Sequence, residues 1–128
     1  MSMEKDFDIS DDLEDYAIDS LISVGLDFSR LVILATPRDK GIAQANWVVG
    51  LNTIDTNQYP ERTSSNNAIN RAGAIISKLT YSPNMTINVS NNLPYIRRLN
   101  NGYSKQAPKF FVEIAARNAN VNIQNGDL

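Results

Sequence analysis

Asp6, Asp8, Ser10 and Asp12 stand at alternate positions near the start of the chain, the spacing at which a calcium loop places its first oxygen ligands. Such a loop also needs a glycine at its sixth position and a glutamate at its twelfth. Here those positions hold Asp11 and Ala17, so the pattern is rejected as a cation site. Ser77-Lys78 and Ser104-Lys105 each set a hydroxyl beside an amine, but adjacency in the chain gives the lysine no reason to reach the serine. Gly41 and Gly50 flank no phosphate loop, because the Gly-Lys-Ser/Thr ending is absent. The chain has no cysteine and no histidine. That removes thiolate zinc sites, cysteine nucleophiles, Ser-His triads and imidazole bases together. No enzyme mechanism can be written on what remains, and no cofactor or metal is expected.

One cluster keeps a binding chemistry. Arg97, Arg98, Lys105 and Lys109 lie close in sequence to Tyr95 and Tyr103, a mix that could hold backbone phosphates and stack bases. The formal net charge of the whole chain is −2, however, whereas nucleic-acid domains are usually basic. The charge is also unevenly spread. Glu4, Asp6, Asp8, Asp11, Asp12, Glu14, Asp15 and Asp19 face Lys5 alone over the first nineteen residues. An acidic end and a basic end on one small domain suit head-to-tail association. The plainer reading of the acidic end is a solvated segment that favours solubility.

The elements that position these residues follow from periodicity. Residues 1–9 read as a flexible acidic arm, with Ser10 as the cap of a long helix. Leu13, Ala17, Leu21, Val24, Phe28, Leu31, Val32 and Ala35 recur at helical spacing as one apolar stripe, and Pro37 ends it. A turn with Gly41 leads to a short strand from Trp47, whose indole is expected to anchor the core. Ser64 or Ser65 caps a second helix with Ala68, Ile69, Ala72, Ile75, Ile76 and Leu79 inward, and Gly73 in its middle marks close packing. Residues 85–90 alternate, Met85, Ile87 and Val89 against Thr86, Asn88 and Ser90, the period of a half-buried strand. Leu93, Tyr95, Ile96 and Leu99 form a short helical piece broken at Gly102. Pro108 suits the first turn of a last helix with Phe110, Phe111, Ile114 and Ala115 on its apolar face. Residues 119–128 read as a flexible tail.

This order predicts one α+β domain over residues 10–118: a small, mostly antiparallel sheet packed against a long N-terminal helix and two further helices. The hydrophobic fraction of 42% allows a core. No apolar run approaches the length a membrane span needs, and the start lacks a signal core, so no membrane partner and a cytosolic site of synthesis are expected.

Two blocks carry a family resemblance. The first is Ala35-Thr36-Pro37-Arg38-Asp39-Lys40-Gly41 with Ala45-Asn46-Trp47, similar to a T-P-x-D-x-G-x-x-x-x-N-W turn. The second spans residues 91–108 and reads N-L-P-Y-I-x-x-L-x-x-G-x-S-x-Q-A-P. In matching order and spacing they resemble the neck or tail-completion (head–tail joining) proteins of long-tailed bacteriophages. One departure is Phe110-Phe111, where the family commonly has a small or Gly-containing start after the Q-A-P turn. The resemblance implies a structural virion protein, assembled in the host bacterial cytoplasm as a six- or twelve-fold ring of copies of itself. The ring would sit in the neck against portal or adaptor, stopper or tail-tube proteins, with genomic DNA passing through without sequence-specific contact. The expected interface residues are Tyr95, Ile96, Arg97, Arg98, Leu99, Tyr103, Lys105, Gln106 and Pro108, and residues 100–107 are expected to be a mobile loop that orders against a neighbouring ring. The reading in another class is a DNA-binding accessory protein that uses the Arg97 to Lys109 patch.

Overall fold

A computed structural model describes residues 8–37, 41–59, 63–102 and 109–121. The elements are α1 (Asp8–Ala35), α2 (Ile42–Ala45), β1 (Trp47–Leu51), α3 (Ser65–Ile76), β2 (Ile87–Asn91), α4 (Ile96–Asn100) and α5 (Phe111–Asn118). The class is α+β, as the sequence predicts: a long N-terminal helix, further helices and a small two-stranded antiparallel sheet.

Helix α1 ends where Pro37 dictates. The N–H of Thr36 bonds the Val32 carbonyl at 3.1 Å, and its hydroxyl donates to the same carbonyl at 2.6 Å. The start differs from expectation. The backbone is already helical at Asp8, so Ser10 lies inside the helix and not at its cap. The stripe is only half buried. Val32 is fully enclosed, as is Ile33 next to it outside the stripe, while Leu13 is 62% exposed and Val24 lies at the surface too. Periodicity fixes which residues share a face but not how much body stands opposite. A helix of 28 residues runs about 42 Å, longer than the elements that cover it, and its first turns project.

Helix α3 follows its prediction. The Ser64 hydroxyl accepts from the Asn67 N–H at 3.1 Å, a cap that typically contributes about 1 kcal/mol. Ala68, Ala72 and Ile76 are buried against α1 and β1. Strand β1 pairs β2 with Trp47 opposite Asn91 and Leu51 opposite Ile87. Val49, Val89 and Ile87 meet Ala72 and Ile76 of α3 on one sheet face. The opposite face, with Asn88 and Ser90, is not left to water. The connection over residues 52–59 folds back across it, where Asn88 Nδ2 donates to the Thr53 carbonyl at 2.9 Å and the Ser90 hydroxyl donates to that of Asp55 at 3.2 Å.

The main core joins Val32 and Ile33 of α1, Trp47, Ala68, Ile96 of α4, and Phe111, Val112 and Ala115 of α5. The last helix is rolled from the expected face. Phe110 takes a left-handed conformation (φ 63°, ψ 42°) and is 44% exposed. The inward residues are Phe111, Val112, Ala115 and Ala116, with Ile114 half-buried. Ala119, expected in the tail, is buried, and the Val121 N–H bonds the Ala116 carbonyl at 2.7 Å. Pro108 and residues 122–128 lie outside the described residues. No helix among the described residues is long and apolar enough to cross a membrane.

Candidate docking surface

The two sequence blocks meet in space. In the first, the Trp47 indole N–H donates to the Thr36 hydroxyl at 2.8 Å, so one side chain ties the start of β1 to the end of α1. Gln44 Nε2 adds bonds to the carbonyls of Ile33 (3.1 Å) and Thr36 (3.3 Å). Asn46, fully buried, donates to the carbonyls of Ile42 (2.8 Å) and Tyr59 (2.7 Å) and accepts from the Tyr59 N–H at 2.7 Å. The Arg71 guanidinium lies 4.5 Å from the centre of the Tyr59 ring and donates to the carbonyls of Ala45 and Trp47. The turn is thus a polar clamp in which the buried groups of Thr36, Asn46 and Trp47 are satisfied, while Gln44 bonds through Nε2 and its Oε1 is buried without a partner.

The second block is pinned to the first. Asn91 Nδ2 donates to the Ala43 carbonyl at 2.9 Å. Asn92 Nδ2 donates to the carbonyls of Asp55 and Asn57, both at 2.9 Å, and Gln58 Nε2 returns a bond to the Asn92 carbonyl at 2.6 Å. Leu93, Ile96 and Leu99 then pack in the same core as Trp47.

Beside that junction an apolar groove of about 420 Å³ opens between Phe28 of α1, Trp47, Leu93 and Val112, with Pro94 and Arg97 at its rim. A second hollow continues from it along β2, walled by Leu21 and Val24 of α1 and by Ile54; the two share Phe28, Val89, Ser90 and Val121. Phe28 and Val89 are expected on inward faces, and Val121 falls in the expected tail. The periodicity of the first two marks them as apolar but cannot say that the sheet stops short of covering them.

The expected interface residues separate into three groups. Tyr95 (40% exposed), Arg97 and Arg98 lie at the surface of one short turn. Ile96 is buried and Leu99 packs beside it, because α4 has a single inward face and these two occupy it; both pack in the core, and Ile96 also lines the groove. Tyr103, Lys105, Gln106 and Pro108 lie outside the described residues. Asn100, expected at the head of a mobile loop, is instead 2% exposed and fixed by hydrogen bonds to α5. Of the basic patch, Lys109 sits with its ammonium 5.2 Å from the Phe110 ring centre. Asp8, Ser10 and Asp12 are on helical backbone, not on the loop that a calcium site needs.

Comparison of the chain with family models, with curated proteins and with solved structures finds no match in any of the three. What the surface offers beside the buried polar clamp is an apolar groove with Arg97 among its lining residues.

Proposed function

We propose that this chain is a structural subunit of the neck of a long-tailed bacteriophage, where copies of it form a ring that completes or joins the tail to the head around the DNA channel. One observation carries the reading. The two blocks that resemble the neck family are far apart in sequence, yet Asn91 bonds Ala43 and Trp47 packs with Leu93 and Ile96, so they act as one unit. A pair of motifs that together build one surface is a better basis than either motif alone. Phe110 adds support. Its left-handed backbone stands where the family commonly has a Gly-containing start, and glycine adopts that backbone without strain.

The function then lies in fitting against neighbours and not in catalysis. Tyr95 and Arg97 are of the residue types enriched at the centres of protein interfaces. The test is native mass spectrometry of the purified full chain, alone and mixed with portal, stopper and tail-tube proteins, together with a phage in which the chain is deleted. Discrete rings, and heads and tails that fail to join in the deletion, are expected. Deletion particles that join their tails and infect normally would overturn it. Steeply salt-dependent binding of the monomer to duplex DNA, without rings, would move the assignment to a DNA-binding accessory protein.

A further inference from the structure

Two surfaces of this chain are each incomplete, and their chemistries match. The first is the projecting start of α1. Leu13 is 62% exposed and Tyr16 71%, about one helical turn apart on the same side of the helix. Asp12 and Asp19, both exposed, lie along the flank next to Tyr16, about two turns from each other. Apolar anchors at this spacing with a charged flank are how an amphipathic helix enters a groove. The second surface is the groove between Phe28, Trp47, Leu93 and Val112, whose rim carries the cationic Arg97. Helix α1 cannot fill this groove in its own chain. Phe28 is one of the groove's walls, and Leu13 lies roughly 22 Å further along the same helix.

We infer that the first turns of α1 from a second copy of this chain seat in the groove. Leu13 and Tyr16 enter the apolar floor, and Asp12 and Asp19 face Arg97. The opposite charges decide for a second copy: the acidic half of α1 is the complement of this rim, and the same chain carries both. Each copy offers its helix to one neighbour and its groove to the other. Such a head-to-tail contact closes into a ring if the rotation per subunit allows and grows as a filament if it does not. The inference rests on the ring reading above and adds which two faces make the joint.

The chain contains no cysteine, so introduced thiols report only the designed contact. Tyr16→Cys and Pro94→Cys both change exposed side chains. Mixed under mild oxidation, the two variants are expected to form a disulfide-linked pair with one of each, while neither links to itself. In a second arm, Arg97→Asp is expected to weaken self-association at low salt by about tenfold, and adding Asp12→Arg and Asp19→Arg to it is expected to restore assembly. Circular dichroism checks that every variant stays folded. Rings that form while Y16C and P94C stay unlinked, or Y16C linking to Y16C, would overturn the docking and leave the ring standing. Y16C linking only to a different neck protein would overturn it in favour of that partner. A wild-type chain that stays monomeric at every concentration would overturn both the docking and the ring.

Discussion

The side chain of Asn100 caps a helix to which it does not belong. Its Oδ1 accepts from the Val112 N–H at 2.9 Å, inside the first turn of α5, while its Nδ2 donates to Glu113 Oε1 at 2.7 Å and its carbonyl accepts from the Phe110 N–H at 2.6 Å. A helix N-terminus leaves N–H groups without intrahelical partners. Phe110, the residue at the cap position, makes no side-chain cap bond, so α4 supplies the oxygen. Asn100→Ala therefore removes a buried cap and strands the Val112 N–H, at a cost of about 1–3 kcal/mol. Urea unfolding monitored by Trp47 fluorescence measures it. The substitution is expected to lower the midpoint while leaving the slope unchanged.

Asn46 carries a second prediction. It holds the residue 52–59 connection through a reciprocal pair with the backbone of Tyr59, at 2.7 Å in each direction, from a position with no exposure. Asn46→Ala leaves the Tyr59 N–H and carbonyl without their partner and opens a small void. Asn46→Asp keeps the acceptor but places a carboxylate against the carbonyls of Ile42 and Tyr59. Both variants are expected to lose about 2–4 kcal/mol, and hydrogen exchange is expected to show the Tyr59 amide losing protection before the amides of β1.

Much of this fold could be read from the sequence because its signals are local. Pro37 ends α1, Ser64 caps α3, and the alternation over residues 87–90 builds β2. What was not legible is what depends on partners far along the chain. Asn88 reads as part of a strand's polar face and the sequence gives Asn91 and Asn92 no evident role, yet each of the three bonds a backbone carbonyl more than thirty residues away. Leu13 and Val24 share a stripe with Phe28, but nothing in the spacing shows that the body ends before it covers them. The surface residues were legible as a stretch. Which of them face outward was not, because α4 is a single turn and a roll of one residue exchanges Ile96 for Arg97.

Gly73 and Gly50 look alike in the sequence and are opposites in the structure. The centre of α3 was expected to need its glycine for close packing, but a Cβ added at Gly73 would meet only Leu26 Cδ2 at 3.6 Å, an ordinary contact. At Gly50 a Cβ would clash with the Thr53 carbonyl oxygen, because the connection crosses the sheet directly over it. Gly73→Ala is expected to stabilise by about 0.5–1 kcal/mol, the helix-propensity gain. Gly50→Ala is expected to destabilise by more than about 2 kcal/mol, since backbone and not a flexible side chain must move. Parallel thermal melts of the two variants give the opposite signs directly.

Phe110 is the last test, and it bears on the resemblance as well as on stability. A bulky residue at φ 63° incurs roughly 1–2 kcal/mol of backbone strain, because its Cβ crowds the following carbonyl. Its ring recovers part of this by resting 5.2 Å from the Lys109 ammonium, but at 44% exposure the contact is mostly in water. Phe110→Gly removes the strain and adds freedom to the unfolded chain, and the net effect is expected to be a gain of about 0.5–1 kcal/mol. Phe110→Ala loses the ring and keeps the strain, so it is expected to lose stability. Gly above wild type and Ala below it, on the same unfolding axis, would show that the position calls for a left-handed residue. The reverse order would show that the aromatic ring contributes more than the backbone costs, and it would weaken the match to a Gly-containing start in the neck family.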